Sequence, residues 1–120
     1  MEQKAANRLT EAERKAAVKR AAQMLAEKTA HFAKEMGVTY GRITIREQKT
    51  RWGSCSSAGN LNYNWKLVLM PERVMDYVVI HELAHRKEMN HSARFYAVVA
   101  QQMPDYKVWQ SWLKEHGREY

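Results

Sequence analysis

The stretch "DYVVIHELAHRKEMNH", residues 76–91, restricts the possible folds of this chain more than any other. Tyr77, Val78, Val79, Ile80, Leu83 and Ala84 spread around much of a helical circumference, the pattern of a helix buried on more than one side. That same helix carries His81, Glu82 and His85, and His91 follows shortly after. Buried imidazoles and carboxylates are costly unless something pairs with them, and a divalent cation engages several at once. The chain is therefore expected to wrap a central helix on its apolar sides and leave its ionisable side facing a ligand.

His81 and His85 are four residues apart, about 40° around a helix, so their rings converge on one point. Glu82 lies one step round, where its carboxylate reaches a water on the ion instead of ligating it. This is the H-E-x-x-H arrangement. Neutral imidazoles hold Zn²⁺ without cancelling its charge, so the ion can lower the pKa of its water to about 7 and polarise a carbonyl or phosphoryl oxygen. Glu82 then serves as general base and returns the proton to the leaving group. A catalytic zinc takes three protein ligands, and His91 is the expected third, with Glu88 its rival. Six positions separate His85 from His91, enough for the helix to stop and the chain to reverse, and Asn90 tolerates a left-handed turn there. His31 and His116 are isolated on solvated helices and are expected to be surface residues.

Around this helix the chain reads as one α+β domain over residues 1–120, with 1–9 flexible. Apolar residues at 18, 22, 25, 29, 32 and 36 predict a long first helix from Thr10 to about Met36. Thr10 and Glu13 have the spacing of a capping box, and Gly37 suits the left-handed end. "YGRITIRE", "TRWGSC" and "LNYNWKLVLM" read as strands of a small, mainly antiparallel sheet, the last two joined by the turn "SSAGN". The central helix is expected over about 71–88 behind Pro71. Ser92 caps a further helix to about Met103, and Pro104 with Asp105 opens a last one ending near Gly117, with Trp109 and Trp112 on one face. Gly53 is expected to mark a bulge or a close backbone approach.

Charge and cysteine content bear on setting and partners. The net charge is +7, and the excess lies upstream of the histidines: 8 basic against 5 acidic residues over 1–37, 6 against 2 over 38–75, and 6 against 6 over 76–120. The first segment interleaves its charges as a solvated helix face does, whereas Arg42, Arg46, Lys49, Arg51 and Lys66 are less balanced and suit a groove for a nucleotide or nucleic acid. No apolar run approaches the roughly 18 residues of a membrane span, and the first twenty residues lack a secretory apolar segment, so a cytoplasmic protein without membrane contact is expected. Cys55, the one cysteine, cannot form an internal disulfide and reads as a small buried hydrophobe. Oligomeric state leaves no signature in the sequence.

The segments "TRWGSCSSAGNLNYNWKLVLMPERVMDYVVIHELAHRKEMNHSARF" and "MPDYKVWQSWL" together resemble the YgjP-like metallopeptidase family, a zincin-like group related in pattern to the SprT-like proteases. The likeness covers about 50 to 113 and joins the Arg-Trp-Gly-Ser-Cys segment, an Asn-Trp strand, the histidine helix and a His-Ser-x-x-Phe continuation in the family's order. The spacing to His91 is also that of metzincins, but Glu88 stands where their glycine falls. The resemblance implies a minimal zincin-like domain with zinc on His81, His85 and His91 and Glu82 as general base. It further implies an edge strand above the active-site helix, either "NLNYNWKL" or "RWGSC", to which an extended peptide adds. Arg51, Tyr63, Asn64 and Trp65 are then candidates for substrate contact or oxyanion stabilisation. Three functions follow as expectations: a zinc peptidase acting on a peptide or protein, a zinc phosphohydrolase acting on a nucleotide, and a nucleic-acid-binding module with structural zinc. The peptidase is preferred.

Overall fold

The structure, a computed structural model, describes residues 3–49 and 51–120. The start of the chain expected to be flexible falls partly outside this range, and inside it Ala5–Arg8 form a 3-10 turn that buries Ala6. Helix α1 spans Glu11–Met36 and has the ends its sequence predicts. Thr10 accepts from the Glu13 N–H, the Glu13 carboxylate accepts from the Thr10 N–H, and Gly37 closes the helix with φ of 70°. Its buried face agrees with expectation at 25, 29 and 36 and differs at the other three positions. Ala17, Ala21, Leu25, Thr29, Ala33 and Met36 face inward, while Val18 and Phe32 are half-buried and Ala22 is exposed. Three alanines on the inner face let the helix backbone come close to its neighbours, which larger side chains would hold off. Thr29, buried there, is satisfied by the Tyr63 hydroxyl at 3.0 Å.

Three short strands follow: β1 (Ile43–Arg46), β2 (Gly53–Cys55) and β3 (Leu61–Asn64). Their order is β1-β3-β2, with β1 parallel and β2 antiparallel to β3. The sheet is therefore mixed, not mainly antiparallel. β3 takes the centre because it carries the most buried side chains, Leu61 and Tyr63, and a strand between two partners is the most shielded. It is also shorter than its apolar run suggests. The Asn64 side chain accepts from the Lys66 N–H and turns the chain into a 3-10 segment, Trp65–Leu69.

Helix α2 (Glu72–Ala84) begins directly after Pro71 and runs through the middle of the domain, with ten of its thirteen residues buried. It ends four residues earlier than expected. His85 is its C-cap, and both the Lys87 and Glu88 N–H groups bond the Ala84 carbonyl at 3.0 Å, so the helix slackens into a turn. Lys28 of α1 reaches Asp76 of α2 at 2.6 Å and Glu72 at 2.9 Å. Burial lowers the Lys28 pKa, but these two carboxylates outweigh it and hold the ammonium above its ordinary value. Ser92 caps α3 (Ala93–Gln102) through the Phe95 N–H, and α4 (Tyr106–His116) closes the chain against α2, both as their sequence predicts. His31 is exposed beside Glu35, and the partly exposed His116 bonds Glu119. No helix of the described residues is long and apolar enough to cross a membrane.

Candidate metal centre and cleft

His81 projects from the last turn of α2, His85 from its C-cap, and His91 from the segment leading into α3. One ligand atom from each lies within 4.8 Å of the other two, and this is the one such group of three among the described residues. The ring centroids are 5.3 Å apart for His81 and His85, 5.1 Å for His81 and His91, and 4.8 Å for His85 and His91. Asn90 does not supply a left-handed turn, since no described residue other than glycine has positive φ. The slackened turn at 85–88 and a Ser92 N–H to Asn90 carbonyl bond of 2.8 Å bring the chain round instead.

Phe95 is the floor of this cluster, and reasoning from the residues did not single it out. It is fully buried, stacks on His85 at 4.5 Å, and meets His81 and His91 edge-on at 4.9 Å each. Its signal was the spacing His91-Ser92-x-x-Phe95, which on a capped helix start puts the phenyl ring one turn below His91. Glu88 acts through its main chain: its carbonyl lies 3.2 Å from Nδ1 of His85. An Nδ1–H donated to that carbonyl leaves the His85 Nε2 lone pair for a metal. The Glu88 carboxylate is not part of the three-residue group. Partial desolvation first, and then the neighbouring His81 and His85, hold the exposed His91 imidazole below its ordinary pKa, favouring the neutral ring able to ligate a metal.

Glu82 is 5% exposed, and its Oε2 lies 3.3 Å from Nδ1 of His81. Gly53 of β2 passes directly over it. A Cβ on Gly53 would stand 3.1 Å from Glu82 Cγ, 3.1 Å from Val78 Cγ1 and 3.2 Å from the Asn62 carbonyl oxygen. Gly53 thus marks a close approach of strand to helix, one of its two expected roles. β2 pairs with β3 on one side only, so "RWGSC" and not "NLNYNWKL" is the edge beside the cleft. The Trp52 carbonyl accepts from Asn64 N and the Ser56 N–H donates to the Asn60 carbonyl. By antiparallel alternation, the main-chain groups of Gly53 and Cys55 turn to the free edge.

A cleft of about 490 Å³ opens over the histidines, lined by β2, by Arg51 and Trp52 before it, by α2, by Met89, and by Leu113 of α4. Of the expected substrate contacts only Arg51 lines it. Tyr63, Asn64 and Trp65 are 1%, 2% and 2% exposed. Tyr63 bonds Thr29, Asn64 donates to the Gln48 and Arg51 carbonyls, and Trp65 Nε1 donates to Glu47 at 2.8 Å under the Arg14 guanidinium. These three residues knit the sheet to α1 and the following turn, and their polar atoms are already occupied. Cys55 is half-buried in the cleft wall instead of in the core. Burial, and then the Glu82 charge, push its thiol above its ordinary pKa, so it is not a thiolate at neutral pH. Tyr77, one turn before His81, has its phenol pushed up to about 12 by burial and then by Tyr96, and it stays neutral.

Arg86, next to His85, ties the end of α2 to the sheet. Its Nε donates to the Thr39 carbonyl at 2.9 Å and its Nη1 to the Ser57 carbonyl at 3.1 Å. The guanidinium lies over Gly59, whose φ is 90° and where a Cβ would fall 2.7 Å from Arg86 Cζ.

The YgjP-like metallopeptidase domain family matches residues 1–116, well beyond the segment from 50 to 113 that carries the resemblance. The chain belongs to this family. A search among curated proteins finds no match. Two solved structures share the fold. The metallopeptidase zymogen abylysin of Pyrococcus abyssi aligns with a TM-score of 0.69 at 24% identity, covering 78% of this chain and 96% of that one. The metallopeptidase zymogen jannalysin of Methanocaldococcus jannaschii aligns with a TM-score of 0.58 at 19% identity, covering 70% and 90%. The α+β architecture built on a long N-terminal helix is thus a metallopeptidase fold, and the histidine triad sits in it as a candidate metal centre.

Proposed function

We propose that this YgjP-like domain is a zinc-dependent peptidase that cleaves an amide bond in a peptide or protein, in a cytoplasmic setting with which the unpaired Cys55 accords. The observation that carries the reading is the convergence of three imidazoles within 4.8 Å beside the buried Glu82 carboxylate, below a free strand edge. The donor set suits zinc. Three nitrogen ligands leave a fourth position open, and the Glu88 carbonyl fixes the tautomer of His85.

His81, His85 and His91 would hold the ion, which when bound acidifies a water and polarises the carbonyl under attack. Glu82 accepts the proton of the attacking water and delivers it to the departing amine nitrogen. Its burial keeps the carboxylate close to the reacting atoms and away from bulk water. Phe95 keeps the three rings from collapsing inward. The outward main-chain groups of Gly53 and Cys55 pair with an extended substrate, which lays the scissile carbonyl across the histidines.

The cleft argues for a peptide over a nucleotide. A phosphohydrolase needs several cations around the phosphates, yet among the lining residues Arg51 is the one Lys or Arg. Arg46 is engaged with Asn62 at 2.9 Å on the other strand pair. For a nucleic-acid module with structural zinc, an open cleft and an oriented Glu82 would be superfluous. The test is Glu82→Gln, assayed for metal content and for products by mass spectrometry after incubation with a peptide library and with nucleoside triphosphates. The peptidase reading expects one zinc per chain in both proteins and peptide cleavage in the wild type alone. Phosphate release, or salt-sensitive nucleic-acid binding without any cleavage, would refute it.

A further inference from the structure

The lining of the cleft around Glu82 is chemically uneven. Trp52, Tyr77, Val78, Met89 and Leu113 present apolar surface around the histidines. Met89 is 48% exposed, one of two exposed large hydrophobic side chains among the described residues, and it stands on the cleft rim between His85 and His91. An exposed methionine beside a polar centre is a flexible surface for apolar ligands. Leu113 reaches in from α4, so the last helix contributes to the cleft as well as to the core.

Trp52 is fixed by the same end of the chain. A Cβ on Gly117 would stand 3.1 Å from Trp52 Cζ2 and 3.3 Å from its Nε1, so the bare glycine lets the indole lie against the end of α4. A small 3-10 turn, Gly117–Glu119, backs this contact. The tryptophan is therefore a rigid wall and Met89 an adaptable one. Between them the lining charges are sparse: Arg51 is the single Lys or Arg, and Glu82 the single carboxylate, already beside His81.

Resting on the peptidase reading, we propose that the cleft selects peptides with a bulky apolar side chain flanking the scissile bond and rejects lysine and arginine there. A Leu, Met or Phe side chain removes apolar surface of both partners from water. A lysine or arginine would enter beside Arg51 and the cation held by the histidines, with no free carboxylate to pair it.

The test profiles cleavage sites in a proteome-derived peptide library with the zinc-loaded wild type, Leu113→Glu, Leu113→Gln and Met89→Glu. The wild type is expected to favour Leu, Met or Phe over Ala next to the scissile bond by roughly tenfold or more. Leu113→Glu and Met89→Glu are expected to gain cleavage beside Lys and Arg, and Leu113→Gln is not. Damage to folding lowers the rate for every peptide alike but does not create a preference for cations, and Met89 is exposed enough that its substitution leaves the core intact. Cleavage by the wild type with no apolar preference, or unchanged profiles in both glutamate variants, overturns this inference and leaves the peptidase standing. No cleavage of any peptide by the zinc-loaded wild type overturns the peptidase reading and this inference with it.

Discussion

Substitution of Gly53 by alanine probes how tightly the edge strand is laid on Glu82, the proposed general base. The new methyl would meet Glu82 Cγ and Val78 Cγ1 at 3.1 Å and the Asn62 carbonyl oxygen at 3.2 Å, all inside ordinary van der Waals contact. The Asn62 oxygen belongs to the central strand, and Val78 is buried at 3% exposure, so neither yields readily. Overpacking of this kind costs about 1–3 kcal/mol. The carboxylate of Glu82 is the group freest to move, because it faces the cleft. Strain should accordingly be relieved by displacing Glu82 or lifting β2, and a misplacement of about 1 Å at a reacting group costs on the order of a hundredfold in rate. Gly53→Ala is thus expected to bind zinc as the wild type does, to lose about 1–3 kcal/mol in urea unfolding, and to lose ten- to a hundredfold in kcat/KM, roughly 1.4–2.7 kcal/mol of barrier. Full activity at unchanged stability would refute the close approach, and loss of zinc would refute the assignment of the effect to Glu82.

Other consequences can be measured with equal directness. Phe95→Ala removes a fully buried ring under all three histidines, and should cost about 3–5 kcal/mol in denaturant unfolding together with weaker zinc binding. A loss under about 1 kcal/mol would show that the floor is not packed as described. Arg86→Ala should release the turn at 56–60 and raise its amide hydrogen exchange, at a stability loss of about 1–2 kcal/mol for two partly exposed charge-assisted bonds. Unaltered exchange in that turn would contradict the tie. Glu47 is held below the ordinary glutamate value of 4.5 chiefly by the Trp65 indole N–H; burial opposes this, and the Arg14 and Lys66 charges with an Arg14 hydrogen bond add to the lowering. A depressed carboxylate stabilises fully above 4.5 and loses that contribution as pH falls through its lower folded value. The stability gap between wild type and Glu47→Gln should therefore narrow as pH falls below 4.5, and a gap that does not change with pH there would contradict this linkage.

The histidine cluster was legible because its geometry is local. Residues four apart on a helix share a face whatever the rest of the fold does, and the reach from His85 to His91 is set by one short turn. Caps were legible for the same reason: Thr10 with Glu13, Gly37 and Ser92 each act within a few residues. What escaped was decided by distant partners. The parallel pairing of β1 with β3 joins residues eighteen apart, such as Ile43 and Leu61, and no turn signal between them specifies it. Tyr63, Asn64 and Trp65 sit beside the edge strand in sequence, but their partners Thr29, Gln48 and Glu47 draw them into the core. On α1 positions 25, 29 and 36 face inward as expected, while Ala17, Ala21 and Ala33 take the places expected of Val18, Ala22 and Phe32, so the buried residues follow a spacing of four from 17 to 33 instead of alternating fours and threes. Leu113 and Trp52 become cleft residues only once α4 has folded back against α2.

The central claim is that three imidazoles grip one ion, and the most direct measurement is X-ray absorption at the zinc edge on protein loaded with one equivalent. One tightly held zinc is expected, with three imidazole nitrogens and one light ligand in its coordination shell, and a shell that drops to two imidazoles in His91→Ala. Two imidazoles already in the wild type, with a carboxylate such as Glu88 completing the set, or no ion retained after dialysis, would contradict it.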